Sequence, residues 1–272
     1  MKILIAADME GISGVTTWTQ VSAGSSEYER FRRLMTGDVN AAIRGAFDAK
    51  AEEVFVTDGH ANGSNVLIEE LDPRASLNTG SPSPLSMMQG VDEVDGVIYV
   101  GYHARAGSPE AILDHTWSSK TVANVWLNDI LVGEYGINAA VAGHFDVPIL
   151  MVTGDQTACT QTVELLGDVE TVVVKHATGR YAAECLPPTV AQEMIEKTAS
   201  KAVARLAKRK APAPFVLDEP ISLAVEFFNS AMADHAMRMP EAERDGTCVS
   251  LSLPDMLTAY NAFRVMVALA SG

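Results

Sequence analysis

The sequence predicts an α/β protein, a mainly parallel sheet flanked by helices with a smaller C-terminal α+β part. Two observations predict it. Short apolar runs of strand length, at Lys2–Ala7, Glu53–Val56, Val97–Val100 and Pro148–Thr153, alternate with longer segments of helical periodicity. The first three runs each stop abruptly in residues with charged or imidazole side chains followed by glycine-containing loops.

Taken in order, MKILIAA is a buried strand that ends in Asp8 and Glu10 before Gly11 and Gly14. Glu27–Lys50 follows as helix in two pieces, with a break expected at Thr36-Gly37. The strand at Glu53–Val56 runs into Asp58-Gly59-His60 and a loop to Asn65. Val66–Leu71 is a short apolar segment, and a long connection with one extended piece near Ala75–Asn78 leads to the strand at Val97–Val100 and to His103. Ala106–Ser119 lacks periodicity yet carries Asp114 and His115, a loop of the kind that holds functional side chains. Val122–Leu127 and Ile130–Val132 flank Asn128-Asp129 as a tight hairpin, and Gly133-Glu134 opens a helix to Phe145.

Pro148–Thr153 is the fourth strand and ends in Gly154-Asp155; a helix at Gln156–Leu166, a strand at Glu170–Val174 and an amphipathic helix at Thr189–Lys208 come next. Lys208–Pro214, with two prolines, reads as a junction, so residues 1–210 are expected to form the metal-binding catalytic domain and 211–272 the smaller region. That region holds strands at Ile221–Phe227 and Thr247–Leu253 and helices at Asn229–Met237 and Asp255–Ala270. The alternation implies a Rossmann-like catalytic part, in which ligands bind outside the carboxyl ends of the strands.

The chain has 272 residues, 47% of them apolar, enough for a full core. Its formal net charge of −15 repels phosphate backbones and anionic lipid surfaces, which argues against nucleic-acid or membrane partners. No run approaches the roughly 18 to 20 apolar residues of a membrane span, and the apolar stretch before Asp8 is too short for a secretory signal, so a cytoplasmic location is expected. Cys159, Cys185 and Cys248 are odd in number and widely spaced, which indicates neither a disulfide framework nor a thiolate zinc site.

Asp8, Glu10, His60 and His103 all follow strand ends on one predicted sheet edge and are all metal-ligand types. With the backbone extended, Asp8 and Glu10 project from the same side, roughly 6 to 7 Å apart at Cα. Mixed carboxylate and imidazole donors suit zinc, manganese or iron rather than calcium, with zinc leading. Four donors are many for one catalytic ion, and Glu134 can add a fifth, which makes a pair of metals plausible; an acid in a first helical turn is also stabilised by the helix dipole without any metal. The His115 loop can return over the same strand end, placing an imidazole for proton transfer. His144, His176 and His235 read as structural. No dinucleotide, P-loop or G-x-S-x-G spacing occurs.

In these residues the chain resembles the DppA-type zinc-dependent D-aminopeptidase family. The matching stretches are Asp8 to Gly14, Asp58-Gly59-His60 with Asn65, Gly101 to Ala106, Asp114-His115-Thr116, and Asn128 with Gly133 to Ala139. By this resemblance Asp8, Glu10, His60, His103 and Glu134 would ligate two zinc ions per subunit, with Asp8 bridging, and His115 would be the catalytic histidine. The implied activity is release of an N-terminal residue, often a D-residue, from short peptides in a cytoplasmic homodecameric ring. Where the family often has two acids after the glycine of the fourth strand, this chain has Asp155-Gln156, and Gln156 cannot supply a second charge to a substrate amine. Arg105 has a fork of donors suited to a peptide carboxylate or to a structural salt bridge. An L-specific aminopeptidase or another dinuclear hydrolase, an amidase or phosphoesterase, could use the same ligands. No basic cluster near them is evident in the sequence to receive a phosphate. A non-catalytic reading, in which ions staple loops, leaves His115 without a role.

Overall fold

The computed structural model describes residues 1–272, arranged as two sheets with helices packed around them. The chain begins with β1 (Lys2–Ala7), a single turn α1 (Trp18–Val21) and α2 (Tyr28–Asp48), then β2 (Glu53–Asp58), β3 (Ser76–Asn78) and β4 (Gly96–Val100). The hairpin β5 (Val122–Leu127) and β6 (Ile130–Val132) precedes α3 (Glu134–His144), β7 (Ile149–Asp155), α4 (Gln156–Leu166), β8 (Glu170–Gly179) and β9 (Ala182–Cys185). After α5 (Pro188–Ala207) come β10 (Ile221–Phe227), α6 (Ser230–Ala236), β11 (Glu243–Asp245), β12 (Cys248–Leu253) and α7 (Met256–Ala270). No helix is long and apolar enough to cross a membrane.

The larger sheet has the order β3-β2-β1-β4-β7-β8-β9, parallel except for the β8–β9 pair. Both faces of β1 are covered, which is why its sequence is a continuous apolar run. Ile3, Ile5 and Ala7 pack with residues of α2 and α5, while Leu4 and Ala6 join a core that includes α3 and α7. The second sheet, β11-β12-β10-β5-β6, is antiparallel. Its β10 pairs with β5, so residues 211–272 complete a sheet that begins at residue 122. The Asn128-Asp129 turn joins β5 and β6 with both residues at positive φ, 47° and 63°, as a tight primed hairpin turn demands.

Two local expectations need correction, and one short strand was not expected at all. Residues 28–48 are one unbroken helix, not two. Gly37 and Gly45 interrupt nothing; they face α5, where a Cβ on Gly37 would lie 2.5 Å from Gln192 Nε2 and one on Gly45 would lie 2.2 Å from the Glu196 carbonyl oxygen. Packing two helices this closely outweighs the propensity cost of glycine, about 1 kcal/mol each. β8 extends past Val174 to Gly179 and turns back as β9, because Lys175 and His176 break the apolar run without breaking the strand. The short β11, all of whose residues are exposed, carries no apolar signal at all.

Candidate metal centre

Register brings the donors together. Ala7 is paired on one side with Asp58 and on the other with Val100, so the exits of β2, β1 and β4 lie side by side. The Asp8 amide continues this pairing to the Val100 carbonyl, and the Gly11 amide donates to the Gly101 carbonyl, each at 2.8 Å. Those crossings require glycine. Gly101 sits at φ 76°, where a Cβ would lie 2.3 Å from the Asp8 carbonyl, and a Cβ on Gly11 would lie 2.1 Å from the Tyr102 carbonyl.

Asp8, Glu10, His60, His103, His115 and Glu134 are all buried and converge at this rim. His60 Nδ1 is 3.2 Å from Asp8 Oδ1 and 3.1 Å from Glu10 Oε2. His103 Nε2 is 3.4 Å from Asp8 Oδ2 and 3.1 Å from Glu134 Oε1. Ligand atoms of Asp8, Glu10 and His103 lie within 4.8 Å of one another, as do those of His103, His115 and Glu134, so His103 belongs to both groups. Asp8 Oδ2 and Glu10 Oε2 are buried without any hydrogen-bond donor.

A main-chain carbonyl fixes the far side of each ring. His60 Nε2 faces Val21 O at 2.8 Å, His103 Nδ1 faces Ala104 O at 2.9 Å and His115 Nδ1 faces Leu113 O at 2.8 Å. Only an N–H can satisfy a carbonyl, so each neutral ring presents its other nitrogen, as a lone pair, to the carboxylates. Lone pairs and carboxylate oxygens converging in a buried space repel one another unless a cation lies between them, and ligating histidines are commonly oriented by such outer hydrogen bonds. The donor set fits a divalent ion of the zinc class.

The electrostatics carry the same demand for positive charge. Burial, then the neighbouring Glu10, pushes the Asp8 carboxyl up to about 7. Burial opposes the charge of His103, but Glu134, Asp8 and Glu10 outweigh it and raise the ring to about 10. His60 is raised against the same burial by Glu10 and Asp8, and those attractions hold Glu10 low. His115 goes the other way, lowered by burial and by the adjacent His103, on which it stacks at 3.9 Å between ring centroids.

Several contributors were invisible in the sequence. Lys175 is fully buried on β8 and donates to the carbonyls of Glu10, Ile12 and Val15 at 2.6, 3.0 and 2.7 Å, clamping the loop that carries Glu10. Asp38 of α2 accepts from the amide and hydroxyl of Ser13 in the same loop. The Trp117 amide donates to Glu134 Oε1 at 2.6 Å, and the Trp18 ring stands edge-on to His115. Trp18 in a single helical turn, Trp117 in a loop and Lys175 within a strand have no local pattern that marks them as site residues.

Other candidates settle elsewhere. Asp58 closes its own loop, accepting from the amides of Asn65 and Val66. Asp155 caps α4 through Ala158 N and accepts from Ile112 N, while Gln156 ties the Glu110 carbonyl to β8; neither lines the cleft. Arg105 does not line this cleft; it lies against Tyr135 and pairs with no carboxylate. His144, His176 and His235 do not line it either.

The site opens into a cleft of about 950 Å³ whose lining includes Asp8, Glu10, His60, His115 and Glu134 on one hand and Lys120, Arg180 and Arg264 on the other. That basic trio was not evident from the sequence, because its members lie 60 and more residues apart.

A family model described as D-aminopeptidase matches residues 1–265. A D-aminopeptidase of Bacillus subtilis (strain 168) is 40% identical over 273 residues, covering 99% of this chain and 98% of its own length. A solved structure, described as the Zn-dependent D-aminopeptidase DppA from Bacillus subtilis, a self-compartmentalizing protease, matches with a TM-score of 0.96 at 38% identity, covering 100% of this chain and 98% of that one.

Proposed function

The chain belongs to the D-aminopeptidase family, and from that premise we propose that it is a zinc-dependent D-aminopeptidase releasing the N-terminal residue of short peptides. Asp8, Glu10, His60, His103 and Glu134 would hold two zinc ions per subunit. The observation that carries this reading is the pair of buried, donorless oxygens on Asp8 and Glu10 facing ring nitrogens whose partner N–H groups are already committed to carbonyls. Bound zinc supplies the Lewis acidity that activates water and polarises the scissile carbonyl.

His115 is assigned the proton transfers. Burial and His103 hold its pKa below the usual histidine value, which favours the neutral ring. Its Nδ1–H is fixed on Leu113 O and leaves Nε2 to take a proton from the attacking water and return it to the leaving amine.

Support for a closed assembly comes from the self-compartmentalizing relative, and we assign this chain the homodecameric ring that its sequence resemblance implies. A cytoplasmic setting agrees with three unpaired cysteines, Cys159, Cys185 and Cys248.

The test combines turnover with metal counting. Zinc-loaded protein is expected to cleave D-alanyl peptides faster than L-alanyl peptides and to leave chromogenic phosphate esters intact; chelation stops turnover and zinc restores it. His115→Ala should lower kcat by about 10²- to 10⁴-fold while retaining two zinc ions per subunit. Loss of one ion would instead place His115 in the ligand set with His103 and Glu134, and remove the proton-transfer role.

A further inference from the structure

We propose that Arg264 and Lys120 form a subsite for the C-terminal carboxylate of the substrate, which makes the enzyme selective for peptides whose free carboxylate lies close to the scissile bond. The inference rests on the aminopeptidase reading and adds a substrate class to it.

Three cations line the cleft, and they differ in what they already hold. Arg180 is neutralised, with Nε 2.8 Å from Asp114 Oδ1 and Nη2 donating to the Asp114 carbonyl. Arg264 and Lys120 pair with no carboxylate within the 4.0 Å limit of an ion pair. Arg264 is nonetheless held in place. Its Nη1 and Nη2 donate to the carbonyls of Pro84 and Ser83 at 2.6 and 2.9 Å, and its guanidinium stands 5.5 Å from the centre of the Tyr260 ring. A guanidinium carries five N–H donors, so a positioned fork with unused donors remains for an anion.

Trp117 joins this group to the metal centre. Its amide bonds Glu134, and its ring packs edge-on against Tyr260 at 5.9 Å and Phe263 at 5.2 Å, the residues on the helix that carries Arg264. Lys120 follows on the same loop, exposed, with no hydrogen bond of its own to a protein group. One cleft therefore has acids and imidazoles at one group of residues and unpaired cations at another. A peptide with a free C-terminal carboxylate is complementary to the second group, its planar carboxylate matching the Arg264 fork. A long or C-terminally blocked peptide places no charge there, and desolvating the cations against it is unfavourable.

The experiment compares kcat and KM on D-alanyl-D-alanine and on its C-terminal amide, for zinc-loaded wild type, Arg264→Met, Arg264→Lys and Lys120→Met. Wild type should prefer the free acid, and each Met variant should raise KM for the acid relative to the amide by about 10- to 100-fold, the loss expected for a charge-assisted hydrogen bond. Arg264→Lys should recover part of that ratio. Lys120 is on the surface, so Lys120→Met stays folded even if loosening the Ser83-Pro84 contacts destabilises Arg264→Met. Equal effects on the two substrates, or a wild type that does not discriminate between them, would overturn the subsite and leave the aminopeptidase reading intact. A wild type that cleaves neither substrate would refute both.

Discussion

Replacing Lys175 with Met tests how the Glu10 loop is held. The ammonium satisfies three main-chain carbonyls, at 2.6, 3.0 and 2.7 Å, inside a fully buried space. Leaving each acceptor unpaired costs about 2 kcal/mol, or about 6 kcal/mol for the three. Against this, the mutation removes a buried charge whose pKa burial depresses from 10.5 to about 8. That depression corresponds to about 3 kcal/mol recovered, at 1.36 kcal/mol per pKa unit. The net expectation is a loss of about 3 kcal/mol, or roughly 6 to 12 °C in Tm for a domain of this size. Thermal unfolding of the metal-free protein measures it, and calorimetric titration with zinc should show affinity reduced by about 10- to 100-fold as Glu10 loses its fixed position. A variant that melts within 2 °C of wild type and binds zinc equally well would refute the clamp.

Asp38 supplies a pH signature from outside the donor set. Burial raises its carboxyl from 3.8 to about 6. Between those two values the folded chain keeps a proton that the unfolded chain releases, so this group's contribution to stability falls as pH rises, by about 3 kcal/mol across the window. Denaturant titrations of wild type and Asp38→Asn at pH 4 and pH 7 should differ by that amount in their pH dependence; parallel curves would exclude it. Gly45→Ala should destabilise by about 1–3 kcal/mol in spite of alanine's better helix propensity, because its Cβ would meet the Glu196 carbonyl at 2.2 Å. An increase in Tm would show that α2 and α5 can separate freely.

Local physics made much of this protein legible from its chain. The alternation of strands with helices, the acids and imidazoles at strand ends, the Asn128-Asp129 turn and the Gly133-Glu134 helix start are all written within a few residues, and the structure has them there. The failures were also local in origin. Gly37 read as a break because a sequence does not say that α5 lies against it, and β8 was cut short because inward-facing Lys175 looks like the end of an apolar run.

From the sequence alone came the donor inventory and the sheet rim on which Asp8, His60 and His103 fall. The tertiary structure decided which way each ring points, through carbonyls of Val21, Ala104 and Leu113, and which distant cations share the cleft. The division has a physical reason. Backbone periodicity is set by neighbours a few positions away, whereas a ring's orientation, a buried amine's partners and a cleft's charge balance depend on segments that meet only after the sheet has assembled.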